Sequence, residues 1–200
     1  MALNNGQRVC QYLQNRPIAL FDSEYGCAPL SEATAEIAAD KLMRIRSNRC
    51  LWSAPPAYNG KGRPKIHGQQ FRLKDSQSWW APEQTLESVE PKLGKIRLRK
   101  WDDLHFRGSP KHPMTLILVE RLETVTGRLN SQPLWLVWVG IQMPSLAEIW
   151  QLYLRRFALE HWYRLALTNF ALDCAKAQHI RTLRTMERFD AFTHLAIMVS

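Results

Sequence analysis

The stretch that decides the fold is IALFDSEYG, residues 18–26. Its first four residues form a short, continuous apolar run, which is typical of a strand buried on both faces of a sheet. Asp22 follows at the carboxyl end of this predicted strand, where a rigid backbone can hold a functional side chain toward a crevice. Taken alone, the motif favours a simpler interpretation, in which Asp22 is a turn or capping residue for the next segment.

Outward from this strand, the sequence predicts a mixed α/β fold with an insertion in its middle. Ser31 can cap a helix that runs to about residue 39, and residues 41–46 alternate as a strand with one wet face does. We expect further helices from Pro144 to about Leu167 and from Met186 to Val199. The other predicted strands lie at residues 70–73, 95–101, 104–107, 114–120 and 134–139.

The chain carries a net charge of +9, and one segment holds the whole excess. Residues 44–112 contain fifteen Lys and Arg against six Asp and Glu, whereas the other residues balance at twelve of each sign. Within that segment, Pro and Gly between residues 53 and 68 predict a basic loop with Lys61, Arg63 and Lys65. Such a patch attracts nucleic acid through counterion release, although charge alone fits a solvated basic surface equally well.

The cysteines and the apolar runs indicate in which cellular compartment the protein is expected. Cys10, Cys27, Cys50 and Cys174 form no Cys-x-x-Cys pair, which argues against a zinc site and fits a reducing environment. The N-terminal residues have no apolar signal core, and the longest apolar runs, such as residues 134–139, are too short to span a bilayer. We therefore expect a soluble, cytoplasmic protein.

A second acidic position, Glu160, lies in the helix predicted from Pro144. Tyr153, Arg156, Glu160 and Arg164 are spaced three and four apart, so they share one face of that helix. A carboxylate flanked by cations could bind a divalent metal beside a phosphate. The alternative is an i,i+4 ion-pair ladder on a solvated helix, which is commoner and contributes only about 0.2–0.5 kcal/mol per pair.

Both acidic positions lie in motifs that resemble those of one protein family. Residues 21–26 resemble the second-aspartate motif of insertion-sequence DDE transposases, and Tyr153, Arg156 and Glu160 match the Y-x2-R-x3-E part of their Y-x2-R-x3-E-x6-K signature. The ordered set is fairly specific, although no single motif is decisive. The segments that are also similar to this family are residues 47–49, 62–68 and 133–135, with a weaker match at 187–189.

The resemblance implies an RNase H-like fold with a β-rich insertion. In that family two Asp and one Glu hold two Mg²⁺ or Mn²⁺ ions, which activate water or a DNA 3′-hydroxyl for attack on a phosphodiester. It implies that Asp22 is the second catalytic metal ligand and Glu160 the third. It also implies that Tyr153 and Arg156 contact phosphates of transposon-end DNA.

The predicted partner is therefore DNA, both the transposon ends and the target. Besides the two signature residues, we expect the basic side chains of Arg164, Lys61, Arg63 and Lys65 to contact it. The other partners that we consider are a second copy of the chain, in a homo-oligomer, and a full-length transposase, in a mixed assembly.

Two departures from the family pattern lower the expected activity. No Asp or Glu occurs in the twenty-one residues before Asp22, so the first catalytic Asp and the opening strands of the RNase H-like fold are expected to be missing. Leu167 stands where the signature has Lys. We therefore expect an inactive C-terminal fragment with an incomplete fold, in which the strand at residues 18–21 leaves an edge unpaired and lowers stability.

The expected organisation has three parts: a partial RNase H-like core in residues 1–46, the basic β-rich insertion in residues 47–132, and the last core strand with C-terminal helices in residues 133–200. The predicted function is that of a DDE transposase fragment for DNA transposition. The alternative is a non-catalytic module that binds DNA or an intact transposase. In a third interpretation the protein is a structural domain whose Trp side chains only pack.

Overall fold

The computed structural model describes residues 16–91, 94–122, 132–156 and 196–198. The described elements, in chain order, are β1 (Ile18–Phe21), α1 (Ala28–Ala33), β2 (Asp40–Ile45), β3 (Cys50–Ser53), β4 (Gln70–Arg72), a 3-10 turn (Ser76–Ser78), β5 (Gln84–Glu90), β6 (Gly94–His105), β7 (Met114–Arg121), β8 (Leu134–Val139), helix α2 (residues 146–156) and β9 (Ala196–Met198). The predicted mixed α/β fold is confirmed.

The nine described strands form one mixed sheet in the order β4-β3-β6-β7-β8-β2-β1-β9, with β5 also paired to β6. β1 and β2 are parallel, with Ile18 opposite Asp40 and Phe21 opposite Met43. A parallel pair needs a connection that crosses over the sheet, and α1 lies in that connection. The carboxyl ends of β1 and β2 therefore meet at the same edge, which is where Asp22 lies.

Both faces of the sheet are covered, because its central strands alternate between two apolar clusters. In β8, Trp135 and Val137 belong to one cluster, whereas Leu136 and Trp138 belong to the other. All four side chains are at most 2% exposed. This two-sided burial explains why residues 134–139 read as a continuous apolar run, and the strand predicted there is confirmed with the same bounds.

Helix α2 packs on the second of these clusters. Its residues Leu146, Ile149, Trp150 and Tyr153 follow helical spacing and are each 5% exposed or less. Burying a large apolar side chain contributes about 1.5–3 kcal/mol, so this stripe fixes the helix firmly on the sheet. The helix is thereby held in one rotational setting, which determines where its next turn meets β1.

The start of α2 is set by a reciprocal capping interaction. The Ser145 Oγ accepts a hydrogen bond from the Glu148 backbone N–H at 3.3 Å, and a Glu148 carboxylate oxygen accepts from the Ser145 N–H at 2.8 Å. The hydroxyl of Ser145 also donates to that carboxylate, which lowers the pKa of Glu148. Both partners satisfy groups that a helix start otherwise leaves unpaired.

Several predicted elements differ from the structure. The helix expected to begin at Ser31 instead spans Ala28–Ala33, so Ser31 lies inside it and is buried, and residues 34–39 form turns. Strands β3 and β5 were not predicted, because β3 is short and β5 is mostly polar. The helix expected to reach Val199 is wrong at Ala196–Met198, which form β9.

β9 also corrects the expected unpaired edge of β1. Ala19 lies opposite Ile197 in an antiparallel ladder, so β1 has a neighbour on each side. Backbone N–H and C=O groups that would otherwise face solvent at this edge are thereby hydrogen-bonded. Within the described ranges, no helix is both long enough and apolar enough to cross a membrane.

Candidate active site

Asp22 lies directly after β1 and begins a turn. Its Oδ1 accepts a hydrogen bond from the Ser23 N–H at 2.6 Å, and its carbonyl oxygen accepts from the Tyr25 N–H at 3.0 Å. The Asp22 side chain is nonetheless 45% exposed, so its carboxylate can still be reached from solvent. The turn role that the motif alone favoured and an accessible carboxylate are therefore both present.

Helix α2 brings a cation to this carboxylate. The Nη2 of Arg156 lies 3.7 Å from the Oδ1 of Asp22, which is within ion-pair range but longer than a normal hydrogen bond. The Arg156 side chain is only 13% exposed, and its Cζ lies 5.5 Å from the centre of the Tyr153 ring. The guanidinium is thus held between an aromatic face and the acidic strand end.

The Tyr153 ring lies beneath the Arg156 guanidinium. It is 2% exposed, and burial, as the main cause, raises the pKa of its hydroxyl. The charge of Asp22 adds to that rise, whereas the charges of Arg44 and Arg156 and a hydrogen bond to Arg156 oppose it. Tyr153 therefore stays neutral near pH 7, and its position supports Arg156 from below.

Arg44 completes the set, and sequence reasoning did not single it out as functional. It follows Met43, the register partner of Phe21, so it stands beside Asp22 at the same strand ends. Its side chain is exposed, yet its charge acts on Tyr153. The signal that identifies it is the parallel pairing of the two strands, which the structure shows and the sequence pattern does not. We call Asp22, Arg44, Tyr153 and Arg156 the strand-end cluster.

The other two residues of the predicted helix face, Glu160 and Arg164, lie outside the described residues. The structure therefore brings Asp22 together with Tyr153 and Arg156 and leaves the placement of Glu160 a prediction. Within the described part of the chain, no three or more His, Cys, Asp or Glu side chains cluster as metal ligands would. Asp22 is the one predicted metal ligand among those residues, and its carboxylate oxygens are donors that suit a hard divalent cation.

The basic loop of residues 54–66 is exposed throughout and lies away from β1 in the sheet. It follows β3, and four strands separate β3 from β1 in the sheet order. The loop is shaped by short-range contacts: the Tyr58 hydroxyl donates to the Gly62 carbonyl at 2.7 Å, and the Lys61 N–H donates to Asn59 at 3.2 Å. Gly62 has a φ of 74°, which other residues rarely adopt.

Cations of the basic segment differ in whether a carboxylate pairs with them. On β6, Lys95 and Arg97 both pair with Glu87, at 3.0 and 2.7 Å. Arg99 and Lys100 pair with Glu120 and Asp102, each at 2.8 Å. Among the described residues, by contrast, the three loop cations form no ion pair; these are Lys61, Arg63 and Lys65. The loop therefore presents three exposed cations that a polyanion could contact.

The tryptophans predicted to be packing residues do pack. Trp135 and Trp138 are at most 2% exposed, and Trp79 and Trp80 lie against the cluster that contains Trp135. The Trp79 ring lies 5.2 Å from that of Trp135 in an edge-on arrangement, and Arg99 lies 5.4 Å above Trp79. These rings are core and near-core residues in the structure.

Comparison with protein families gives a direct match. Residues 1–105 match the family described as DDE superfamily endonuclease. This range covers more than half of the 200 residues and includes Asp22, Arg44 and the basic loop. A comparison with curated proteins found no match. Members of this superfamily have an RNase H-like fold, act on nucleic acid and generally use divalent metal ions. The chain belongs to the DDE superfamily of endonucleases.

Proposed function

We propose that this chain is part of the catalytic region of an insertion-sequence DDE transposase. In this proposal Asp22 and Glu160 are metal ligands and catalytic residues, and Arg156 contacts the phosphate backbone of DNA. The observation that supports it best is the 3.7 Å approach of Arg156 to Asp22. It brings the strand-end aspartate and the helix that carries the rest of the signature to one place.

The step from Arg156 to Glu160 rests on sequence spacing. The two residues are four apart, the separation that places side chains one above the other on the same face of a helix. Such a step advances about 6 Å along a helix axis, which is within the reach of a shared ion for side chains that converge. We therefore propose that Asp22 and Glu160 face the same cleft.

Asp22 suits a divalent metal, because it is accessible and offers oxygen donors. When bound, such an ion would polarise a phosphodiester and lower the pKa of an attacking water. The protein's own contribution is positional. Asp22 is fixed by the turn after β1, and the Arg156 guanidinium, already desolvated on Tyr153, can hydrogen-bond a phosphate oxygen with little further ordering.

We further propose that these 200 residues do not cleave or join DNA by themselves. No Asp or Glu precedes Asp22 in the sequence, and the first carboxylate of a DDE set comes before the second in the chain. Two carboxylates leave a pair of divalent ions poorly neutralised and poorly positioned. A nuclease assay with Mg²⁺ or Mn²⁺ should show no cleavage above background. Cleavage that disappears in Asp22→Asn would contradict inactivity while supporting the role of Asp22.

The DNA-contact role of Arg156 has a matched control in its neighbour. Arg155 is exposed on the same helix, whereas Arg156 faces Asp22. Arg156→Gln should weaken binding to a DNA duplex by about ten-fold or more, since a charge-assisted hydrogen bond contributes about 1.5–3 kcal/mol. Arg155→Gln should have a clearly smaller effect in the same anisotropy titration. Equal losses would show that only net charge matters and would remove the support for a specific Arg156 contact.

A second candidate function is a non-catalytic module that binds DNA or an intact transposase. The cations of the basic loop are exposed and have no ion pair among the described residues, which favours the DNA-binding form of this candidate. It predicts that DNA affinity depends on the loop and not on Arg156. Co-purification with an intact transposase, insensitive to Asp22→Asn and Arg156→Gln, would favour the interaction form over the first proposal.

A further inference from the structure

The basic loop projects from a base that is held closed at both ends. The Ser53 N–H donates to the Gln69 carbonyl at 3.0 Å, and the Gly68 N–H donates to the Ser53 carbonyl at 2.9 Å. A Cβ on Gly68 would lie 2.1 Å from the Ala54 carbonyl oxygen, so glycine is required for the two ends to approach this closely. The loop therefore extends into solvent from a fixed point, where β3 ends and β4 begins.

The tip of the loop has a thin profile. Gly60 and Gly62 have φ values of 78° and 74°, and a Cβ on either would meet no other described atom within 4 Å. The Tyr58 hydroxyl, which donates to the Gly62 carbonyl at 2.7 Å, closes the turn that contains them. Because glycine leaves the backbone bare, another molecule can approach this turn closely.

Arg63 stands at this tip between Gly62 and Pro64. Proline lacks an N–H and disfavours helical backbone at the residue before it, so this short stretch resists folding into a wider helix or a paired strand. Lys61 and Lys65 lie on either side, each two residues from Arg63, and all five residues are exposed. The loop thus presents one guanidinium on a narrow segment that carries an ammonium group on each side.

The two grooves of B-DNA differ in what they admit. The major groove is about 12 Å wide and takes a helix or a two-stranded ribbon, whereas the minor groove is about 6 Å wide. A single chain with a bare backbone matches the narrower groove. In A·T-rich sequence that groove narrows further, and its stronger negative potential attracts inserted Arg side chains. G·C pairs instead place the N2 amino donor of guanine on its floor, and a guanidinium, which has only donors, cannot pair with it.

We propose that residues 62–64 enter the minor groove of A·T-rich duplex DNA, with Arg63 at the base edges and Lys61 and Lys65 at the flanking phosphates. The cations supply attraction to any duplex, and Arg63 adds a preference for base composition. The inference rests on DNA being the partner, as the proposed function requires. It adds the groove and the base pairs that the loop recognises, and it does not involve Asp22 or Arg156.

Anisotropy titrations of the full chain with three labelled duplexes test the inference. The duplexes share one length and differ only in a central block of A·T, G·C or inosine·C pairs. Inosine is guanosine without the N2 amino group, so inosine·C pairs combine the major groove of G·C with a minor groove like that of A·T. The A·T and inosine·C duplexes should bind alike, each about ten-fold more tightly than the G·C duplex. Inosine·C binding that matches G·C would place the loop in the major groove, and equal binding of all three would leave charge alone; either result overturns the inference.

Two matched variants of the loop separate Arg63 from net charge. Arg63→Lys keeps the charge but loses the planar guanidinium, so the preference should fall from about ten-fold to about two-fold or less at an unchanged salt slope. Lys65→Gln should weaken binding to all three duplexes alike, reduce the salt slope by about 0.9 and keep the preference. Both positions are exposed, so both variants should fold. A full preference that survives Arg63→Lys would overturn the inference.

Failure of this inference is distinguishable from failure of the proposed function. Salt-dependent binding of the unmodified chain without an A·T preference overturns the groove assignment and leaves DNA as the partner. No binding to any of the three duplexes at low salt overturns both.

Discussion

The strand-end cluster and the basic loop both present basic side chains, but they hold them in opposite ways. Arg156 is 13% exposed, packs on Tyr153 and faces a carboxylate, whereas the cations of the loop are exposed and form no ion pair within the described residues. A side chain fixed by packing is suited to a specific contact at defined geometry. Exposed charge is suited to non-specific attraction of a polyanion. The two regions therefore predict different responses to mutation and salt.

The largest expected effect concerns stability and tests the packing of α2, which carries Tyr153 and Arg156, on the sheet. Ile149→Ala removes a fully buried side chain from the face that holds α2 on the sheet, and we expect a loss of about 2–5 kcal/mol in the free energy of unfolding. Gln151→Ala, on the exposed side of the same helix, should change it by no more than about 0.5 kcal/mol. Urea unfolding of both variants measures the difference. A loss below about 1 kcal/mol for Ile149→Ala would mean that α2 does not pack as described.

The next effect concerns DNA binding by the basic loop. Replacing its three cations with Gln should make the slope of log K, where K is the DNA-binding constant, against log salt concentration less steep. The expected reduction is up to about 2.7, at about 0.9 per phosphate contact. Stability should hardly change, since the loop is exposed. Anisotropy titrations with a DNA duplex at several salt concentrations give the slope. The substitutions are Lys61→Gln, Arg63→Gln and Lys65→Gln.

The matched control for this loop variant removes three paired cations of β6. Lys95 and Arg97 share Glu87 as their ion-pair partner, and Lys100 pairs with Asp102. The corresponding triple Gln variant should lower the salt slope by clearly less than the loop variant, although it removes the same formal charge. Equal slopes for both triples would show that net charge alone governs DNA affinity.

A pH effect is expected where the loop returns to the sheet. The Nδ1 of His67 lies 2.9 Å from the Nε2 of His105, and burial, assisted by the charge of His67, lowers the pKa of His105 below 6.5. The folded protein then binds fewer protons than the unfolded chain, so stability present at neutral pH is lost as pH falls below about 6.5. Urea unfolding between about pH 8 and pH 5 should show this loss, and His105→Gln should reduce it. A pH-independent difference between the two proteins would contradict it.

The smallest effect tests the contact that joins β1 to α2. A double-mutant cycle with Asp22→Asn and Arg156→Gln should give a coupling of about 0.2–1 kcal/mol in the free energy of unfolding, because the Asp22 side chain is 45% exposed to solvent. The cycle should be measured without divalent metal. A coupling indistinguishable from zero, with both single variants folded, would indicate that the two side chains do not interact in solution.

Local pattern was sufficient to predict the parts of the fold in which burial dictates sequence. The apolar runs at residues 18–21 and 134–139 are strands with the predicted bounds, since both are covered on two faces. Asp22 was also located correctly at a strand end. Strands made of mostly polar residues were predicted less well. β5 (Gln84–Glu90) is formed through its ladder with β6, and that long-range pairing leaves little trace in a local window.

Prediction of the strand-end cluster from the sequence was limited in the same way, because its contacts are also long-range. Asp22 and Arg156 are 134 positions apart in the sequence, and only the family signature linked them before the structure did. Arg44 joins the cluster because β1 and β2 are parallel and in register, which a one-dimensional pattern does not encode. The β9 pairing that covers β1 is likewise non-local. Features that depend on sheet order were therefore out of reach from sequence alone.

The central claim is that Asp22 and Glu160 bind the same divalent ion, and Mn²⁺ titration followed by electron paramagnetic resonance tests it most directly. Asp22→Asn and Glu160→Gln should each weaken Mn²⁺ binding by about ten-fold or more, and the double variant should be hardly weaker than either single one, because one lost ligand already dismantles the site. Asp103→Asn, at an exposed position on β6, serves as the control and should bind as the unmodified chain does. Mn²⁺ affinity that is unchanged in either single variant, or independent additive losses, would contradict a shared site.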